Sequence, residues 1–354
     1  MDIAVIGACG ACGRQLCMQL LERRIVPTTN RLQLVGHLGG ASENELWGWQ
    51  ADMQDAFSEW APRIQVVLDP GEIDADIVVM MAGATVSTNP GATMDRAALA
   101  QTNAGIFRTY AEALGRRDKQ PIVIVQSNPV ELGVEIFTEH LDPKRVLGAG
   151  ARSDSLRFAR EIANDLGVTS RAVFAFVMGQ HGDYMVPLWS KVDVRGLPRD
   201  QVLEYIERTR GGHALPELPD RIREGKAAML ALVNDGRVRE AFDFVQAMPA
   251  DLRSAVKPFF THFTAGHTTE AVTARSAADI VEAFVDGVAL AVPAQVRLSG
   301  TWADSYGLTG VLGVPVLLGR REWEWILPVD LADDEREAML TAAKSIAEVA
   351  RLAG

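Results

Sequence analysis

Cysteine is almost missing from this sequence: the chain of 354 residues holds Cys9, Cys12 and Cys17 and none after them. That clustering excludes a disulfide framework of the secreted kind, because cross-links could not reach the rest of the chain. Long apolar runs are missing as well, and no stretch reaches the roughly 18 residues that would cross a bilayer. The opening segment, Met1-Asp2-Ile3-Ala4-Val5-Ile6-Gly7, has no basic region before its apolar residues. No secretory signal is therefore expected, and the expected compartment is the cytoplasm. Positive charge is in short supply, with 35 Lys and Arg against 46 Asp and Glu and a net charge of -11. Such a chain offers a phosphate backbone no broad basic face, so nucleic acid is not an expected partner. Neither internal repeats nor a low-complexity linker interrupt the sequence, so if it folds in two parts they share a large interface.

What is present reads as a globular protein. Hydrophobic residues make up 48% and charged residues 23% of the chain, and its length exceeds what a single core supports, which points to two domains. Short apolar runs predict strands at Ile3–Gly7, Leu32–Gly36, Ile64–Leu68, Ile77–Ala82, Ile122–Ser127 and Val146–Gly148. Helical periodicity fills Ala11–Arg24, Asn44–Phe57 and Asp95–Arg116 between them. Near-continuous Val and Ile runs belong to strands buried on both faces, so residues 1–150 are expected to form a doubly wound parallel α/β sheet. Beyond Gly150 the pattern changes. A long helix at Ser153–Leu166 leads into extended segments at Ala172–Met178 and Val186–Val194, then helices, short strands around Val296 and Leu312–Leu318, and a last helix at Asp333–Leu352. Residues 151–354 therefore read as an α+β domain.

Chemistry concentrates in a few motifs. Gly7, Gly10 and Gly13 follow the first strand and open a helix, the arrangement in which a tight turn brings backbone N–H groups against a dinucleotide pyrophosphate at the helix N-terminus. Cys9 and Cys12 form a Cys-x-x-Cys in the same turn; filling small-residue slots and gating the cofactor by redox are the two readings. The second strand ends in Gly36-His37-Leu38-Gly39-Gly40-Ala41-Ser42, with no acid before Glu43. An acid there binds the adenosine ribose of NAD, and its absence leaves NADP open, with Gly36, His37 and Ser42 around the 2′ position. Further on, Asp154 and Arg157 sit three apart on one predicted helix face, and His181 lies in Met178-Gly179-Gln180-His181-Gly182-Asp183. A histidine that exchanges protons near neutral pH needs an anionic partner, and a carboxylate substrate suits a forked arginine. Arg96, opening the helix after the fourth strand, and Ser127 and Asn128, ending the fifth, fall at the carboxyl ends of strands where such sheets bind ligands. Taken singly, Arg96 reads as a solvated helix residue and Asn128 as a turn former.

Together these residues resemble the lactate/malate dehydrogenase superfamily, over most of the chain. The markers are the glycine fingerprint of a Rossmann domain, Arg96, Asn103, Ser127-Asn128-Pro129, Asp154-Ser155-Leu156-Arg157-Phe158, Gly179-Gln180-His181-Gly182-Asp183 and Leu312-Gly313-Val314-Pro315. The resemblance implies a cofactor-dependent oxidoreductase, using NAD or NADP and no metal, that interconverts 2-hydroxy and 2-oxo acids as a homodimer or homotetramer. It implies His181 as proton donor and acceptor, Asp154 as its partner, Arg157 on the substrate carboxylate and Arg96 on the reacting carbonyl. It further implies Asn128 and Thr269 in the substrate pocket, and Gly7, Gly10, Gly13, Gly36, His37, Asn103, Ser127 and Asn128 around the cofactor. On the helix that packs between subunits in that family lie Trp47 and Trp49, which fit either an interface or the chain's own core.

Two departures stand out. The loop Ala84–Gly91 carries Thr88 where malate dehydrogenases place an arginine for the second carboxylate, which predicts poor turnover of oxaloacetate and suits a neutral or hydroxylated side chain. Between His181 and Thr269 the chain is longer than usual, with helical character at Glu224–Asn234 and Val238–Met248; a surface or interface elaboration is expected in preference to a lid. Glu270, beside Thr269, reads as a surface carboxylate. Two other functions fit the same fold class: a non-catalytic cofactor-binding or structural homologue, which the combined His181, Asp154, Arg157 and Arg96 set argues against, and a glycoside hydrolase dependent on NAD. The hydrolase needs a metal held by cysteine and histidine in the second domain, where no cysteine exists.

Overall fold

The structure, a computed structural model, describes residues 1–40, 42–85, 96–300, 302 and 306–353, with residues 96 and 97 in backbone only. In the first half, strands β1 (Ile3–Ile6), β2 (Arg31–Val35), β3 (Arg63–Val67), β4 (Ile77–Met80), β5 (Ile122–Val125) and β6 (Val146–Gly148) all run parallel, in the spatial order β3-β2-β1-β4-β5-β6. Between and after them come helices α1 (Ala11–Glu22), α2 (Glu43–Ala56), α3 (Arg96–Gly115), α4 (Val130–Thr138) and α5 (Gly150–Leu166). Alternate residues of a strand point to opposite faces. Ile3 and Val5 accordingly join Leu16 and Leu20 of α1, Trp49 of α2 and Phe158 of α5 in one core. Ala4 and Ile6 turn the other way, to Phe107 of α3 and Phe137 of α4. Strand order reverses between β1 and β4, which opens a crevice beyond their carboxyl ends.

The second half continues the same sheet. It contains β7 (Val173–Phe174), β8 (Val177–Gly179), β9 (Met185–Pro187) and β10 (Asp193–Val194), followed by α6 (Arg199–Arg210), α7 (Leu218–Asn234), α8 (Val238–Gln246), α9 (Ala250–Ala265) and α10 (Glu270–Asp286). After these come β11 (Leu290–Arg297), β12 (Val311–Leu318), β13 (Trp323–Ile326) and α11 (Asp333–Ala353). Strand β11 pairs antiparallel with β6 at Gln295 and Gly148, and β12, β8 and β9 extend the sheet outward, with β13 on β12. Eleven strands among the described residues thus form one sheet, while β7 and β10 pair separately. No described helix is long and apolar enough to cross a membrane.

Two expectations are corrected here. The extended segments at 172–178 and 186–194 are each broken into short strands. The second is interrupted by a turn at Trp189–Lys191 that packs Trp189 edge-on against Phe158 of α5, 4.8 Å between ring centroids. The helix expected from Ser153 starts earlier, at Gly150. Helix α9 also runs through Pro258, a residue that ordinarily ends a helix.

Candidate active site

The glycine turn after β1 is tight enough to require its residues. Gly7 has φ +80°, and a Cβ there would lie 2.7 Å from the Ala82 nitrogen on the neighbouring strand end. A Cβ on Gly13 would lie 2.2 Å from the Gly7 carbonyl oxygen, so α1 approaches β1 only because that position is bare. Backbone at the mouth of α1 is therefore free to approach a pyrophosphate, and these residues fit a dinucleotide. Cys9 and Cys12 do not look like redox groups. Burial is the main influence on both thiols, raising Cys9 and pushing Cys12 up to about 11, the opposite of what an activated thiolate needs.

Beyond β2, His37 is exposed, and a Cβ on Gly36 would strike the Leu46 side chain at 2.2 Å. The acid lacking from the strand end is partly replaced: the Glu43 carboxylate turns back to accept the Gly39 N–H at 2.7 Å. Trp49 on α2 is buried, with the Arg14 guanidinium 4.9 Å above its ring, while Trp47 is 52% exposed. Of the two tryptophans, Trp49 therefore packs in the chain's own core and Trp47 faces outward.

His181 sits at the tip of the β8–β9 hairpin. Its Nδ1 lies 2.7 Å from Asp154 Oδ2, and Asp154 Oδ1 accepts from Arg157 Nη1 at 2.9 Å. Arg157 Nη2 donates to Thr269 Oγ1 at 2.8 Å. Residues drawn from α5, the hairpin and the start of α10 thus converge. Burial is the largest single influence on His181 and works against its charge. The charge and hydrogen bond of Asp154, helped by Glu131, outweigh burial and the Arg157 guanidinium, so the imidazole sits above its ordinary value. Burial lowers Arg157 and Asp154 opposes that shift, yet a guanidinium stays charged.

These side chains open on a cleft of about 380 Å³ whose walls include Asp154, Arg157, His181, Thr269, Ser127 and Asn128. Asn103 is placed differently. It is fully buried, accepting the Ala84 N–H at 2.7 Å and donating to the carbonyls of Ala84 and Asn128 at 3.0 and 2.7 Å, so its amide holds the cleft's backbone and does not line the cavity. Ser127 donates to the Met80 carbonyl at 3.2 Å, and Asn128 is exposed on the wall. Thr88 and the Arg96 side chain lie outside the described residues. Glu270 opens α10 and pairs with His267 at 3.0 Å.

Several contributors were not read from the sequence. Glu131 of α4 is buried and accepts the His181 backbone N–H at 2.6 Å; burial, its main influence, raises its carboxyl. An acid within the apolar run Val130-Glu131-Leu132-Gly133-Val134 was the available signal. Gly150 is bare because a Cβ there would lie 2.6 Å from His181 Cγ. Gln295 accepts the Ala151 N–H at 3.1 Å, fixing the start of α5 from β11. The additional helices do not merely decorate the surface: α9 forms one cleft wall, and Lys226 of α7 pairs with Asp183 in the His181 turn.

Comparison with known proteins gives a consistent result. Residues 1–148 match the family model for the lactate/malate dehydrogenase NAD binding domain, and residues 152–232 match that for the alpha/beta C-terminal domain of the same family. The chain is 29% identical to a malate dehydrogenase of Chlorobium phaeobacteroides over 354 residues, 98% of this chain and 97% of the relative. It is 30% identical to malate dehydrogenase 1 of Aquifex aeolicus over 288 residues, 79% of this chain and 71% of that one. Among solved structures, a lactate dehydrogenase from Cryptosporidium parvum complexed with lactic acid and nicotinamide adenine dinucleotide superposes with a TM-score of 0.76 at 22% identity, covering 99% of this chain and 97% of the other. The malate dehydrogenase of the same organism gives 0.74 at 21%, covering 99% and 98%. At those identities the structural likeness speaks for the fold.

Proposed function

The chain belongs to the lactate/malate dehydrogenase family, and from that premise we propose that it interconverts a 2-hydroxy acid and a 2-oxo acid with His181 as the acid and base. The carrying observation is the contact of 2.7 Å between His181 and Asp154, with Arg157 bridging Asp154 and Thr269. In the oxidative direction His181 Nε2 takes the substrate hydroxyl proton; in the reductive direction the imidazolium returns it to the carbonyl oxygen. Asp154 fixes the Nδ1 tautomer and offsets the positive charge. Arg157, already turned toward Thr269, exchanges that contact for the substrate carboxylate, a bidentate match for its fork. Arg96 takes the reacting oxygen, and Asn128 orients the substrate from the opposite wall. Donating or accepting the hydride is the chemistry that a bound nicotinamide would supply.

In this reading residues 1–150 hold the dinucleotide and residues 151–354 hold the substrate. Gly7, Gly10 and Gly13 cradle the pyrophosphate, Gly36 and His37 flank the adenosine ribose, and Ser127 and Asn128 stand by the nicotinamide, with Asn103 supporting that backbone. NAD is preferred to NADP, because the Glu43 carboxylate folds into the turn after β2 and repels a 2′-phosphate, and no Lys or Arg lies within residues 36–43. Although the relatives are named malate dehydrogenases, Thr88 gives no cation for a second carboxylate, so oxaloacetate is a poor substrate. The assembly is a homodimer or homotetramer, with Trp47 of α2 at the contact.

The test is spectrophotometric. A panel of 2-oxo acids with NADH and NADPH in parallel should show turnover with NADH, and His181→Asn should lower kcat about 10²- to 10⁴-fold. Absence of turnover across the panel, or full activity in His181→Asn, rejects the reading.

A further inference from the structure

We infer that one face of α9 forms a subsite for a bulky, apolar substrate side chain; the inference rests on the dehydrogenase reading above and narrows its substrate class. Ser254, Ala255, Pro258, Phe259, His262 and Phe263 all line the cleft. Their spacing of one, three, one, three and one keeps them on a single helix face, a strip roughly 14 Å long at 1.5 Å rise per residue. Four of the six are apolar. Ser254 spends its hydroxyl on the Asp251 carbonyl at 2.8 Å, and the His262 ring stands edge-on to Phe263 with centroids 5.0 Å apart, continuing the aromatic wall.

The wall is held in place. Lys226 Nζ lies 3.4 Å from the Phe259 ring centroid and pairs with Asp183 beside His181, which ties the phenyl ring to the catalytic turn. Along the other side of α9, Lys257 donates to Glu161 at 2.8 Å and Arg253 to Glu161 and Asp165. Those partners lie on α5, where Glu161 is one turn beyond Arg157, so the α9 strip starts beside the carboxylate-binding end of the cleft.

Charge points the same way. Among the described lining residues Arg157 is the only Lys or Arg, whereas Glu131, Asp154 and Asp183 are carboxylic. With Arg157 engaged by the C1 carboxylate, a second anionic group would meet, among the described lining residues, carboxylates and aromatic rings, whereas an apolar one is desolvated against matching surface. A branched or aromatic 2-oxo acid is the ligand of that chemistry.

The experiment compares pyruvate, oxaloacetate, 4-methyl-2-oxopentanoate and phenylpyruvate by kcat/KM with NADH. It also measures calorimetric binding of 4-methyl-2-oxopentanoate to enzyme loaded with NAD⁺, a pair between which no hydride can pass. The bulky acids should exceed pyruvate at least about tenfold, since a single methylene is worth roughly 10- to 200-fold in such pockets. Phe259→Ala, which removes the wall, and Ala255→Leu, which fills the subsite, should each lower the ratio of 4-methyl-2-oxopentanoate to pyruvate about tenfold and weaken the calorimetric binding to match. Preference for pyruvate or oxaloacetate, or a ratio unmoved by both variants, overturns the subsite and leaves the dehydrogenase reading standing. No turnover of any 2-oxo acid overturns that reading itself.

Discussion

Asp154 carries two duties, neutralising His181 through one carboxylate oxygen and orienting Arg157 through the other, at 2.7 and 2.9 Å. Because the folded His181 sits above its ordinary value, the charged pair stabilises the fold below the unfolded histidine's value, and that contribution is lost as pH rises through the raised one. On the acid and base role proposed for His181, the same titration should govern the reaction in opposite senses. Reductive kcat/KM should then fall as pH climbs through the raised value, and oxidative kcat/KM should rise. Asp154→Asn removes the largest causes that lift His181 and leaves Glu131 alone against burial and Arg157, so both limbs should move to lower pH in stopped-flow pH profiles. Unmoved limbs would mean that another group holds the proton. Glu131 gives a second prediction. Glu131→Gln keeps an acceptor for the His181 N–H, whereas Glu131→Ala removes a hydrogen bond to a buried carboxyl and should cost about 1.5–3 kcal/mol in denaturant melts. Equal loss in both variants would assign the effect to charge.

The helices added between the His181 turn and Thr269 matter most among the elements. Sequence periodicity marks α7 and α8, but it says nothing of which faces meet, because amphipathic patterning specifies a buried stripe and not its partner. In the fold α9 lies against α5 through Arg253, whose side chain is 7% exposed, and Glu161, 3% exposed. Arg253→Ala takes one of two cationic partners from Glu161, Lys257 remaining at 2.8 Å, and should cost less than the about 3–5 kcal/mol of a buried pair broken outright. The melting temperature should fall, and KM for the preferred 2-oxo acid should rise as the α9 wall loosens. A stability loss with KM unchanged would show that α9 contributes only to folding.

Across the whole molecule, the two halves share one sheet through β6 and β11. Backbone pairing at such a seam couples them, because opening either half exposes unpaired N–H and C=O groups of the other. Far-UV and intrinsic tryptophan signals should therefore report one common thermal transition, and NADH at 100 times its Kd should stabilise both by about 2.7 kcal/mol. A cofactor-protected first transition separated from an unprotected second would show that the halves unfold independently.

The sequence by itself determined the parallel half. Its strands are local apolar runs, and the starts expected at Ile3, Ile77, Ile122 and Val146 are those observed, with ends that agree to within two residues, because periodicity is written within one segment. It also nominated His181, Asp154 and Arg157, since their residue types and spacing announce the chemistry they suit. The tertiary structure alone decided that Glu131 and Gly150 close around His181, that Asn103 is spent on backbone, and that α9 walls the cleft. Those facts are contacts between segments tens to more than a hundred residues apart, and such pairings are chosen by packing of the whole chain, which no local pattern encodes.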